Sequence, residues 1–105
     1  MTLVKDGPYE KEPEEIERVG IDFTDRLAVG ESLSSTFTVT IYNSELQNVT
    51  SDLSQNPTRD ENIITAQIKG GVDEQDYLMV ALVTTTNADV KVGILPIRIR
   101  SNKEI

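Results

Sequence analysis

The sequence contains no cysteine, no histidine and no tryptophan. Without cysteine there is neither a disulfide nor a thiolate metal site, so stability must come from a packed core. A chain of 105 residues can supply one, burying about two-thirds of its unfolded surface. Without histidine and cysteine the chain lacks the commonest general base, the commonest metal ligand and the best nucleophile. Chemistry through Ser, Lys, Asp or Glu would need a buried, convergent pocket, and 37% hydrophobic residues leave little interior for one. The expectation is a protein that is not an enzyme, with no cofactor, no metal and no small-molecule substrate. Basic residues are also scarce, with 10 against 18 acids and a net charge of −8. That balance argues against a nucleic-acid partner and against an anionic membrane surface. It favours solubility and a basic protein partner. No apolar run approaches a membrane span, and Met1 to Pro8 does not resemble a signal peptide.

What is present reads as strand and turn. Lys5 to Glu15 (KDGPYEKEPEE) is charged, carries Pro8 and Pro13 and has no periodicity. It reads as an extended arm. Around Ile16 to Ile21 a first strand places Val19 and Ile21 on one face, and Asp22 to Leu27 reads as one helical turn pinned by Phe23 and Leu27. Ser32 to Tyr42 is the strongest strand. Leu33, Ser35, Phe37, Val39 and Ile41 alternate with Ser34, Thr36, Thr38, Thr40 and Tyr42. Asn43 to Asp60 is polar and turn-rich, with a short strand expected around Val49 to Leu53 and a loop from Gln55 to Asp60. Asn62 to Lys69 is a further strand, ended by Gly70-Gly71. Tyr77 to Thr86 begins almost continuously apolar, as a strand covered on both faces should be. Asn87-Ala88-Asp89 turns it into Val90 to Arg100, where Val90, Val92 and Ile94 alternate with Lys91 and Gly93. Pro96 there marks an edge or a bulge. Six or seven short strands without a useful helix predict an all-β sandwich or small barrel.

Few constellations carry chemistry. Tyr77, opening the apolar strand after Asp73-Glu74-Gln75-Asp76, suits a structural tyrosine corner whose hydroxyl bonds back to upstream backbone. A calcium site at Asp73, Glu74 and Asp76 is the rival reading, without the spacing of a known calcium loop. Lys91, Arg98 and Arg100 put three bases on the last strand of an acidic body. The acidic arm of one copy could meet that basic strand of the next. In the arm, Tyr9, Ile16 and Val19 are the few apolar side chains that could anchor a partner.

Several blocks together resemble a known family. Ile21 to Leu27 (IDFTDRL) precedes Gly30 to Ser35 (GESLSS); Gly70 to Tyr77 (GGVDEQDY) and Val83 to Thr86 (VTTT) follow. With the charged Lys5-Asp6-Gly7-Pro8 stretch, this pattern is similar to that of the tailed-bacteriophage fiber–tail adaptor proteins. The likeness covers about Ile16 to Arg100. It departs at Phe23, where the family often has tryptophan, and in a longer Asn43 to Asp60 region. The resemblance implies an immunoglobulin-like β-sandwich; with the arm read from composition, the chain is expected to divide into an extended N-terminal arm over 1–15 and the sandwich over 16–105. It implies a virion structural protein assembled in the host bacterial cytoplasm, docking on a symmetric connector or tail assembly and bridging to fibres. Its partners would be other virion proteins and copies of itself in a ring. Two alternatives stand beside it. One is a capsid decoration protein. The other is an adhesin or carbohydrate-binding module, which the scarcity of exposed aromatics disfavours.

Overall fold

The structure, a computed structural model, describes residues 2–4 and 9–101, with side chains from Tyr9 onward. Its strands are β1 (Thr2–Val4), β2 (Tyr9–Lys11), β3 (Glu17–Asp22), β4 (Leu33–Tyr42), β5 (Ser54–Asp60), β6 (Ile63–Ile68), β7 (Asp76–Thr85) and β8 (Val90–Ile99). A 3-10 turn at Thr24–Arg26 and a single helical turn, α1 (Thr50–Leu53), complete it. The strands form two four-stranded sheets, ordered β1-β3-β6-β5 (sheet 1) and β2-β8-β7-β4 (sheet 2). β1 and β2 pair in parallel with β3 and β8; the remaining neighbours are antiparallel. The all-β sandwich expected from the alternation is the architecture found.

The core lies between the sheets. Sheet 1 contributes Val19, Ile21, Ile64, Ala66 and Ile68; sheet 2 contributes Ile41, Tyr77, Met79, Ala81, Val83, Leu95, Ile97 and Ile99. Phe23, in the crossover between the sheets, is fully buried, and Gly93 faces it from β8. A Cβ at Gly93 would lie 2.7 Å from Ile21 Cγ2 and 2.8 Å from Phe23 Cζ, so only glycine lets the crossover pack this closely.

Several expectations change. The arm residues of β2 lie on this chain's own sheet 2, with Tyr9 and Lys11 buried. Lys11 enters the interior because Nζ donates to the carbonyls of Glu12 (2.6 Å), Gly70 (2.7 Å) and Pro13 (3.4 Å). Val49 to Leu53, expected as a strand, is the N-cap and single turn of α1, and Gln55 to Asp60, expected as a loop, belongs to the strand Ser54–Asp60 because β6 supplies the pairing. Ser35 is exposed, since β4 slips register between Leu33 and Phe37. Pro96 leaves β8 unbroken: by the register its missing N–H faces away from β7, beyond the start of β2 at Tyr9.

Candidate partner-binding surface

β8 alternates between the two sides of sheet 2. Gly93, Leu95, Ile97 and Ile99 point into the core, and Val90, Val92 and Ile94 point out, 60%, 41% and 57% exposed. Gly93 lies against Ile21 and Phe23, and Leu95, Ile97 and Ile99 are fully buried in the core, which fixes the register. β7 carries apolar residues at both parities, so its outward positions are Leu78, Val80 and Leu82. The antiparallel register sets Leu78 opposite Pro96, Val80 opposite Ile94 and Leu82 opposite Val92. On the other side Thr38, Thr40 and Tyr42 of β4 stand opposite Leu82, Val80 and Leu78. The result is a flat apolar patch on the outer face of sheet 2, with no charge at any of these positions. At one end it runs into an open groove lined by Leu46, Leu78, Pro96 and Ile97, with Asp76 and Arg98 on its rim. The two-faced apolar composition of β7 signals either a covered strand or a docking face, and only the structure separates the two.

The bases of β8 do not gather. Lys91 lies on the inward side, near Glu31 at the hairpin end; Arg98 and Arg100 are outward at the opposite end. Arg98 lies between Glu10 and Asp76 in register, and Arg100 pairs with Asp76 at 2.9 Å. Arg100 is thus paired with an acid of its own chain, and Arg98 is flanked by two in register. Of the arm anchors, Tyr9 and Val19 are spent on the chain's own core, 2% and 0% exposed, whereas Ile16 is 58% exposed. The Tyr9 hydroxyl donates to Glu17 Oε1, and burial followed by that bond pushes the phenol far above its ordinary pKa. Tyr77 is buried, and its hydroxyl oxygen accepts the Val72 N–H at 3.1 Å. This pins the Gly70–Asp76 turn, in which Gly70 and Gly71 have φ of +61° and +97°. Asp73 accepts the Ser101 N–H at 2.9 Å; among the described residues no cluster of acids could hold a metal ion.

The outer face of sheet 1 is different. Arg18 Nη1 donates to Thr65 Oγ1 at 2.8 Å and to the Asn56 carbonyl at 3.0 Å. Thr58 bonds Thr65 at 2.6 Å, and Gln67 Oε1 accepts from Gln55 and Asn56. That face is polar and already bonded to itself.

Compared with curated proteins, the chain has no match. A protein-family model does match it over residues 11–96, that of the podophage GP4 fiber-tail adaptor protein gp77. The matched stretch contains β3 to β7, most of β8 and the outward residues of the apolar face up to Pro96. The chain belongs to the podophage GP4 fiber-tail adaptor family.

Proposed function

We propose that this adaptor, a virion component linking a podophage tail to its fibres, docks through the charge-free apolar patch on the outer face of sheet 2 onto another virion protein. The observation that carries this is the apolar row of Leu78, Val80 and Leu82 against Pro96, Ile94 and Val92, three of them exposed beyond 40%. Leaving these side chains in water forgoes the stabilisation that burial would bring, and an exposed patch of this kind marks an interaction site. With strands about 4.8 Å apart and a rise of about 3.4 Å per residue, three strands over about seven residues give roughly 350 Å². A standard interface needs about 800 Å² per partner. The face is therefore the apolar centre of a larger contact, with the Leu46–Pro96 groove at its margin.

The occupant is a different protein rather than a second copy. Two chains of net charge −8 repel, and the basic residues beside the face are matched by Glu10 and Asp76 of the same chain. A partner with an apolar patch ringed by Lys or Arg fits best. Several copies around a symmetric tail would each present this face in the same direction.

Leu82→Asp and Ile94→Asp place charges on the face without touching the core. Phage grown with either variant should lose the adaptor or its fibres from purified particles, as counted by mass spectrometry. Normal occupancy and normal fibre number with both variants would sink the proposal.

A further inference from the structure

Each sheet ends on one side in an antiparallel edge strand, β5 in sheet 1 and β4 in sheet 2, and these two edges are built differently. At β5 (SQNPTRD) the edge is blunted by Pro57, by a register slip between Gln55 and Thr58, and by the charges of Arg59 and Asp60. From Leu33 to Tyr42, β4 contains no charge and no proline. Its only irregularity is the slip near its start. By the usual logic of edge protection, β4 is left open.

The hydrogen bonds show which part is open. Ile41 N–H donates to Thr50 Oγ1 at 2.9 Å, and its carbonyl accepts the Val49 N–H at 2.8 Å. Asn43 N–H donates to the Gln47 carbonyl at 3.0 Å, and Tyr42 forms an antiparallel bridge to Asn48. The 47–50 segment thus lays the first rung of a fifth strand beside β4 and then turns away into α1. Antiparallel parity points the N–H and C=O of Val39 and Phe37 into the same lane as those of Ile41. Among the described residues no backbone group pairs with them. The side chains of Phe37 and Val39 pack against the core only partly, as does Leu27. Ser35, Thr36 and Thr38 are exposed.

We propose that the free edge of β4 at Phe37–Val39 receives an extended, uncharged, β-branched segment from another virion protein, added as an antiparallel strand in line with the Gln47–Thr50 rung. Main-chain bonds would supply the affinity. Alternate side chains of the incoming segment would lie against Phe37 and Val39 on one face and against Thr38 and Thr40 on the other.

A second copy of β4 fits this lane poorly. To lie beside Phe37–Val39 without overrunning the Asn48 rung, it must present its own slipped Ser34–Thr36 stretch. There the Thr36 amide already donates to Ser34 Oγ at 3.2 Å. The net charge of −8 also opposes self-pairing and favours a segment flanked by Lys or Arg. The source of the strand rests on the adaptor reading; the edge itself does not.

The test uses the whole protein and a synthetic peptide, Lys-Thr-Val-Thr-Val-Thr-Lys, beside the same peptide N-methylated at alternate residues. In the free protein, the amides of Phe37 and Val39 should exchange with solvent quickly while those of Thr38 and Thr40 are protected. The first peptide should protect Phe37 and Val39, and the N-methylated one should bind about tenfold more weakly or worse, having lost its donors. Equal binding of both peptides, no binding of either, or perturbation away from β4 would overturn the proposal. So would concentration-dependent protection of Phe37 and Val39 without peptide, which would assign the edge to a second copy. Because the readout is in solution, failure here leaves the particle counts for Leu82→Asp and Ile94→Asp to judge the docking face separately.

Discussion

The two outer faces of the sandwich answer the same problem in opposite ways. Sheet 1 turns Arg18, Asn56, Thr58, Thr65 and Gln67 outward and ties them into one hydrogen-bonded layer. Sheet 2 turns out Val80, Leu82, Val92 and Ile94, and among the described residues no hydrogen-bonded layer covers them. The first face is bonded to itself within the chain; under the proposed docking, the second is completed by a partner. On that reading stability and function are separated by side. Residues pointing between the sheets hold the fold, and those pointing away from sheet 2 are free to serve a partner.

The largest effect that would break this comparison lies within a single strand. Ile97 and Ile94 are three positions apart on β8 and face opposite sides, 0% and 57% exposed. Ile97→Ala should lower the unfolding free energy by about 2–5 kcal/mol, the transfer term plus a cavity. Ile94→Ala should cost below about 1 kcal/mol, mostly strand propensity. Urea denaturation of both variants checks it. Similar losses would mean that the outer face of sheet 2 is part of the folding core after all.

A smaller effect sharpens the comparison from the other side. Arg18→Ala removes the donor that ties Thr65 to the Asn56 carbonyl and should destabilise by about 1 kcal/mol, a typical net hydrogen-bond contribution. It should leave the attachment of the adaptor to virions unchanged. Loss of attachment with the fold intact would make sheet 1 a docking face too.

The sequence displayed these faces unequally. The β4 alternation was legible because Phe37, Val39 and Ile41 do sit on one side, but the slip that exposes Ser35 has no residue signature beyond Ser-Ser-Thr. β5 was illegible because SQNPTRD has no apolar face; it is a strand only through its pairing with β6. Buried Lys11 was hidden because hydropathy places lysine outside, and the three carbonyls that admit it are distributed across the arm and the Gly70 turn. On β7 both parities are apolar, so periodicity reads as full burial. Which side meets water was decided by Gly93, Leu95, Ile97 and Ile99 on the neighbouring strand, and that is tertiary information.

The smallest effect concerns the crossover that joins the two sheets. Asp22 and Glu31 bracket it, and both carboxyls are held below their ordinary range. The Thr24 hydroxyl and N–H do this to Asp22; the Thr85 hydroxyl and then the Ala28 N–H do it to Glu31. In the unfolded chain a glutamate titrates near about 4.3 and an aspartate near about 3.9. Between those values and the lower native ones the unfolded state binds more protons, so stability rises with pH there. The contribution is full above the unfolded values and is lost as pH falls through the native ones. Lowering the pH from about 6 to about 3 should therefore depress the thermal midpoint more for the parent than for Glu31→Gln. The remaining slope should shrink again when Asp22→Asn is added. Parallel midpoint curves for the three proteins would show that the carboxylates do not hold the crossover, leaving Phe23, packed under Gly93, to fix one sheet against the other.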